Sequence, residues 1–439
     1  MSGTDPAATD GPRPGVPQAG VKGIGEDPRE QDRDVAEAPG KIWFRDLDEA
    51  VIEADRCIQC ASCVAACPSD SIGIDEDEGR PTLVKMCTGC SRCWDFCPRS
   101  GLRYERHLEL TQEERGLAEP GTYAARATDE AANAGQDGGV VTALLAALLE
   151  AGEIDGAVVA REQEDEPLRG EAVLATSREE LLAAGGSIYN QTMGLGQLDE
   201  LLADADLGSE AHGASDSRAG SETTRETDDP ALAFVGTPCM IQGATALDRY
   251  DHEPADPIAL TVALMCTRSF EHSRLVSRLE TFDVDPAAVD TLDISDGELR
   301  ATDAAGETLL ETDVDAFDAA GLRGCDECAD FVGGAADISV GNVGSSDGET
   351  TVVVRTETGE SAWETAAPAL ETAAIDRPAT LEKLADWNRR RAESILPREY
   401  DPEAGIGITY EHHRESYDGT DREPEPLNPA RVHQYEEWC

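Results

Sequence analysis

Thirteen cysteines stand in this 439-residue chain, and eight of them fall in two runs of identical spacing. The first run is Cys57-x2-Cys60-x2-Cys63-x3-Cys67-Pro68, the second Cys87-x2-Cys90-x2-Cys93-x3-Cys97-Pro98. Two-residue spacers let three thiolates of a run converge on three corners of one cubane, while the fourth cysteine reaches the other cluster. The spacing therefore predicts one 4Fe–4S cluster on Cys57, Cys60, Cys63 and Cys97, and another on Cys87, Cys90, Cys93 and Cys67. Zinc also takes four thiolates, but typically from paired C-x2-C knuckles. The doubled run with its trailing Cys-Pro points to iron–sulfur chemistry, which moves electrons singly.

About residues 50–105, this block resembles the bacterial-type two-cluster ferredoxins. Five cysteines remain outside it. Cys325 and Cys328 form a C-x2-C, Cys239 closes Gly236-Thr237-Pro238-Cys239, and Cys266 ends an apolar run. Two ligands in a knuckle and two at strand ends can close one tetrahedral thiolate site. Spacing alone leaves a third 4Fe–4S cluster, a structural zinc and unconnected buried thiols all open. Cys439 is the last residue and is expected to be an uninvolved thiol. The seven histidines do not fall in ligand spacing.

Secondary-structure signals surround these residues. Leu47, Val51 and Ile52 recur at helical spacing just before the first run. Residues 105–130 read as a charged connector. From Gln136 the pattern turns α/β: Gly138 and Gly139 open a helix over Val140–Glu150, Gly152 stands where a C-cap glycine belongs, and Ala157–Val159 reads as a buried strand. Glu179–Ala184 is a further short helix. Strands are expected at Ala231–Val235, Leu260–Met265, Ile338–Val340 and Thr351–Arg355, and a helix over Leu381–Leu396 with an exposed Arg389–Arg391 face. The expected organisation is a disordered N-terminus (1–40), a two-cluster ferredoxin-like domain (41–108), a core (115–400) interrupted by a disordered acidic insertion (203–229), and an acidic tail (401–439).

Within the core, six strings occur in a recognisable order: Gln136-Asp-Gly-Gly-Val-Val-Thr-Ala-Leu-Leu, Ile154-Asp-Gly-Ala-Val-Val, Gly186-Ser-Ile-Tyr, Phe234-Val-Gly-Thr-Pro-Cys, Cys325-x2-Cys-x-Asp-Phe and Ala336-Asp-Ile-Ser-Val-Gly. In these the chain resembles the family of coenzyme F420 hydrogenase/dehydrogenase beta subunits over about residues 115–400. The resemblance implies an α/β (α+β) flavin-binding core that holds FAD, a third 4Fe–4S cluster on Cys239, Cys266, Cys325 and Cys328, and coenzyme F420 as substrate. F420 is an obligate hydride carrier and iron–sulfur clusters take single electrons, so a flavin is needed between them. The family also includes reductases of organic substrates fed by ferredoxin; these, and a non-catalytic electron-transfer subunit, are the alternatives. Met240 departs from the Gln common in the family after Gly-Thr-Pro-Cys.

No Gly-x-Gly-x-x-Gly fingerprint follows a strand. With the resemblance, the expected cofactor contacts are Gln136, Asp137, Gly138 and Gly139 for an FAD phosphate, Ser187, Tyr189, Asn190, Gly236 and Thr237 for the flavin, and Gly344 and Ser345 in a ligand-approach loop. Arg268 and Arg323, beside the core cysteines, are expected to receive the anionic coenzyme or flavin; Arg161 reads as a surface salt-bridging residue. No catalytic acid, base or nucleophile stands out.

The formal net charge is −54, spread along the chain, and only four of the cations are lysine. A dispersed carboxylate surface suits concentrated salt, where screening shortens self-repulsion; a halophilic cytoplasmic protein is expected. Nucleic acid is not an expected partner, since phosphates need a basic surface. The N-terminus lacks an apolar targeting segment, and the runs Val140–Leu149 and Ile258–Met265 are too short to span a bilayer. The expected partner is a redox protein or complex, membrane-associated in one variant, with no direct insertion of this chain.

Overall fold

The structure is a computed structural model that describes residues 43–75, 78–90, 92–100, 121–133, 137–205, 230–249, 255–295 and 297–395. Gln136 and the expected disordered segments 1–40 and 401–439 lie outside the described residues, as does most of 203–229. Ala203 and Asp204, placed in the insertion by sequence, instead close the helix Leu198–Asp204.

An eight-stranded mixed sheet organises the core. Its strands are β3 (Gly121–Ala127), β4 (Gly156–Glu162), β5 (Gly170–Ala175), β6 (Leu232–Gly236), β7 (Ile258–Leu264), β11 (Ile338–Gly341), β12 (Thr350–Val354) and β13 (Leu370–Ala373), in the spatial order β13-β3-β12-β11-β7-β6-β4-β5. The four central strands β11, β7, β6 and β4 run parallel, and the outer ones pair antiparallel. Alternation along the strands sends side chains to two apolar layers. Ala157, Val159, Ala233 and Val262 face a layer capped by the helices Val140–Ala151 and Glu357–Ala366. Val158, Leu232, Phe234 and Ala263 face a layer built with the helix Pro238–Arg249. Both faces are covered, as a parallel sheet requires.

Gly121–Ala127 corrects the connector reading: it is a strand bonded to both β12 and β13. Its Ala-rich, Arg-bearing sequence carries little hydrophobic signal; cross-strand pairing and the Tyr123–Trp363 stack define it. A second unanticipated unit is the antiparallel sheet β8 (Thr291–Ser295), β9 (Glu298–Thr302) and β10 (Thr308–Asp313). It packs Leu292, Leu299 and Ala301 against Leu275 and Leu279 of the helix His272–Glu280. One side of it is polar, so its apolar alternation is short and weak.

The ferredoxin-like segment contains the short helices Ser62–Ala65 and Arg92–Asp95 and the hairpin β1 (Ile72–Asp75) and β2 (Arg80–Leu83). It is set into the core rather than tethered to it: Ile58, Cys60, Ala66 and Phe96 share one apolar cluster with Leu195, Ile241 and Leu322. Glycines make the close approach possible. A Cβ on Gly324 would collide with the carbonyl of Arg56, and one on Gly243 with the Ser62 hydroxyl.

Candidate functional site

The sheet delivers its chemistry to one edge. The carboxyl ends of β6, β7 and β11 lead into Thr237–Cys239, Cys266 and the loop 341–349 respectively, the edge where open α/β sheets bind ligands. Cys239 lies in the first turn of the helix Pro238–Arg249, whose proline occupies a position where a missing N–H costs nothing. Cys325 and Cys328 come from the single turn Arg323–Glu327 and the residue after it.

These four cysteines, separated by up to 89 positions (239 to 328), lie in one neighbourhood: Cys239 and Cys325 share a buried cluster, and Gln191 and Ser269 link Cys239 to Cys266, although among the described residues no three such groups stand close enough to grip a single metal ion. Burial first, then repulsion from Cys325 and Cys328, pushes the Cys266 thiol up to about 12. Burial also lifts Cys325 to about 11, with Cys328 adding to it. Cys239 is raised well above the ordinary thiol range by burial, then by Cys60, and further by Cys325 and Cys328. Polar groups ring the site: Gln191 directs its amide nitrogen at the Cys239 sulfur (3.7 Å) and at the Ser269 hydroxyl (2.9 Å). Thr237 donates to the Gln191 carbonyl at 3.1 Å and lies 3.2 Å from the Cys239 sulfur. Asp330 of the Cys-x-Asp motif is fully committed locally, accepting from Gln242 and from the Gly333 and Gly334 amides.

The ferredoxin cysteines form two adjoining groups. Cys57, Cys60 and Cys63 are raised first by burial and then by neighbouring cysteines of this group, Cys97 acting on all three, with Cys57 reaching about 12. Cys67, Cys87 and Cys93 pack in the same apolar cluster as Cys63 and Cys97. Backbone amides point at the sulfurs: Gln59 at Cys57 (3.4 Å), Gly89 at Cys87 (3.4 Å), Ser71 at Cys67 (3.3 Å) and Arg99 at Cys97 (3.4 Å). The loops achieve this with left-handed residues, Gly89 at φ 71° but also Gln59 at φ 54° and Ala61 at φ 60°. Non-glycine residues there are strained, a feature that gathers at functional sites. All twelve described cysteines are free thiols.

Thiols held this far up are protonated at neutral pH, so a metal must displace their protons to bind. Folded-state values above the unfolded one, about 8.5, favour the metal-free fold below that value and stop favouring it as pH climbs toward 12. Iron loading of the apoprotein is therefore expected to release protons. Its affinity should rise about tenfold per pH unit for each proton displaced between pH 6 and 8, as proton release during anaerobic reconstitution would measure.

The expected flavin contacts lie in two groups. Gly138 (φ 77°) and Gly139 (φ 63°) precede the helix Val140–Ala151, whose first turn has no side-chain cap. A Cβ on Gly138 would lie 3.0 Å from the Gly348 carbonyl and 3.1 Å from that of Ala125, so the two glycine loops meet beside β3. Gly344 (φ 103°) and buried Ser345 belong to that second loop; Arg377 pins it through the Gly344 and Ser345 carbonyls. Ser187, Tyr189 and Asn190 lie nearer the small sheet: the Tyr189 hydroxyl accepts from the Ile294 amide, and Asn190 bonds Gly170 and Leu168. Gly236 and Thr237 stand with the core thiols. Arg268 is paired with Asp318 and Asp326 at 2.7 Å each, while Arg323 is exposed on the Cys325 turn. Arg161 is paired with Glu171.

The arginine-rich helix, Pro378–Ile395, corrects an expectation: Arg391 is not on an exposed face but donates to the carbonyls of Thr267 and Cys325. Met240, the departure from the family pattern, is buried in the core and packs against Gly236. Sequence reasoning also passed over Gln191, Ser269 and Arg99. The first lies two residues past the Gly186-Ser-Ile-Tyr string, a usable signal; Arg99 looks like any residue after a Cys-Pro.

Residues 50–102 match the 4Fe-4S dicluster domain. On a mixed α/β core, this defines an iron–sulfur electron-transfer protein. Residues 122–199 match the N-terminal domain of the coenzyme F420 hydrogenase/dehydrogenase beta subunit, and residues 229–378 its C-terminal domain. An uncharacterized protein of Methanocaldococcus jannaschii is 30% identical over 72% of this chain and 88% of its own length. A component of the F(420)H(2) dehydrogenase of Methanosarcina mazei is 27% identical over 81% of this chain and 96% of its own. A chain of the F420-reducing [NiFe] hydrogenase complex from Methanosarcina barkeri superposes with a TM-score of 0.56 at 26% identity, covering 70% of this chain and 95% of that one. The chain belongs to the family of coenzyme F420 hydrogenase/dehydrogenase beta subunits.

Proposed function

We propose that this chain is a flavo-iron–sulfur oxidoreductase passing electrons between coenzyme F420 and a one-electron acceptor. FAD, when bound, would exchange a hydride equivalent with F420 and trade its two electrons singly with the clusters. The residues divide that work. Cys239, Cys266, Cys325 and Cys328 would hold a third 4Fe–4S cluster, with Gln191 and Ser269 orienting donors around its thiolates. The uncapped amides behind Gly138 and Gly139 would hold an FAD phosphate, and the Gly344–Ser345 loop closes the same corner. Ser187, Gly236 and Thr237 remain the proposed flavin neighbours. Arg323, exposed beside the core thiols, is the better placed of the two proposed cationic contacts for F420, because Arg268 already holds two carboxylates.

One observation carries the reading: the core thiols gather next to the ferredoxin segment, with Cys239 close enough to Cys60 to be raised by it. A cluster on the core thiols would then stand beside the ferredoxin segment, where Cys60, Cys239 and Cys325 share one buried cluster, and an electron placed there would have a short way out. The acceptor is proposed to be a partner protein, as the hydrogenase-complex neighbour implies. No helix among the described residues is long and apolar enough to cross a membrane.

Composition tests the proposal. Anaerobically purified protein is expected to carry one FAD and about 12 iron atoms per chain, four for each of three cubanes. Protein with about eight irons and no flavin would overturn it.

A further inference from the structure

Arg99 follows Cys97-Pro98 at the end of the ferredoxin segment and is only 5% exposed. Its backbone is fixed from both sides: its amide points at the Cys97 sulfur and its carbonyl accepts from Arg56. The guanidinium is poorly satisfied by protein. One terminal nitrogen bonds the carbonyl of Pro98, while Nε is buried with no hydrogen-bond partner. Its charge acts on Cys328, Cys325 and Cys239 on the core side. On the ferredoxin side it faces Cys57 and Cys60. Glu327, whose carboxylate also acts on the Arg99 charge, accepts from two nitrogens of Arg56.

A buried cation that shares its carboxylate neighbour with a second arginine is costly. Once clusters are bound, the groups positioned to compensate Arg99 would be the thiolates of two cysteine sites, one on either side. A cubane on four thiolates is net negative and becomes more so with each electron, so a fixed cation beside it favours the reduced form.

We propose that Arg99 is a positioning residue that raises the reduction potentials of the two clusters flanking it together, one on Cys57, Cys60, Cys63 and Cys97 and one on the core cysteines, and so keeps them matched for electron exchange. The proposal rests on the third-cluster reading for its core half. One electron leaves the core cluster and enters the ferredoxin one. Arg99 stays protonated, and no bond forms or breaks. Because it lies between the two, the electron stays near the same positive charge before and after the transfer.

The test is an anaerobic redox titration of the whole chain followed by electron paramagnetic resonance, with the core-cluster signal identified by its loss in Cys325→Ser. In Arg99→Gln both flanking clusters are expected to become harder to reduce by at least a tenfold change in equilibrium, about 59 mV for a one-electron couple. The cluster expected on Cys67, Cys87, Cys90 and Cys93 serves as an internal reference and should move less. Arg99→Lys, which keeps the charge, should recover most of the shift. Unchanged potentials in an iron-replete Arg99→Gln variant would overturn the proposal. Loss of iron from both variants would also overturn it, making Arg99 a structural cation. A wild-type chain lacking the third cluster would defeat the proposed function instead, and the same shift would then be read on the Cys57, Cys60, Cys63 and Cys97 cluster alone.

Discussion

Replacing Cys325 by serine is expected to remove about four irons per chain and to cut F420-driven reduction of one-electron acceptors by at least about 100-fold. Changes to groups that merely orient a metal ligand cost 10–100-fold in affinity or activity, and Cys325 is one of the proposed ligands. It is buried, its turn is closed by the Cys328 amide on its carbonyl, and Arg391 grips the same carbonyl. The site thus cannot rearrange cheaply to recruit another donor. What distinguishes this prediction from general damage is its selectivity. Bleaching of bound flavin by reduced F420 should persist, because the glycine loops beside β3 are built by other strands. Iron on the ferredoxin cysteines should also persist. Iron analysis and stopped-flow spectra of the variant check both parts; loss of flavin reduction along with the iron would show that the proposed order of carriers is wrong.

Arg56→Ala is expected to loosen the ferredoxin segment from the core by about 3–5 kcal/mol, the usual cost of stripping one partner from a buried ion pair. Arg56 reaches Glu327 with two bonds of 2.8 and 2.7 Å, and each side chain is only 9% exposed. The same guanidinium ties down the carbonyls of Ala50 and Arg99. Its removal strips Glu327 of both bonds from Arg56 between two cysteine-rich segments. Gly324→Ala should act in the same place by another route, since a Cβ there meets the Arg56 backbone, which cannot swing aside as a side-chain end would. Chemical denaturation should give a lower midpoint for both. In Arg56→Ala the ferredoxin segment should become protease-sensitive before the sheet does. A loss below about 1 kcal/mol, the range of an exposed pair, would mean the contact is not a buried clamp.

Much of this molecule was legible in its residues. The cysteine runs announce their chemistry because a cubane imposes a spacing that little else requires. Gly152 (φ 69°) caps its helix as expected, since only a left-handed residue closes that turn well. The buried parallel strands were visible as short apolar runs bounded by glycine. What escaped was fixed by distant contacts. β3 exists because β12 and β13 flank it, and β9 because Leu299 and Ala301 find the helix His272–Glu280. In a chain of net charge −54, carboxylates and arginines are so common that a charged run says little about burial. Arg391 and Arg99 were misjudged or overlooked for that reason. The convergence of Cys239 and Cys266 with the Cys325–Cys328 turn could be posed from sequence but not decided there, because three separate chain segments meet only through the order of the sheet.

The central claim is that a flavin and a series of clusters share this chain, with F420 at one end. Anaerobic addition of reduced F420 to the purified protein, followed by visible and electron paramagnetic resonance spectra of the same sample, tests it most directly. The flavin is expected to bleach, and reduced 4Fe–4S signals to appear in the same chain without any added mediator. A flavin that stays oxidised, or one that bleaches while every cluster remains oxidised, would contradict it.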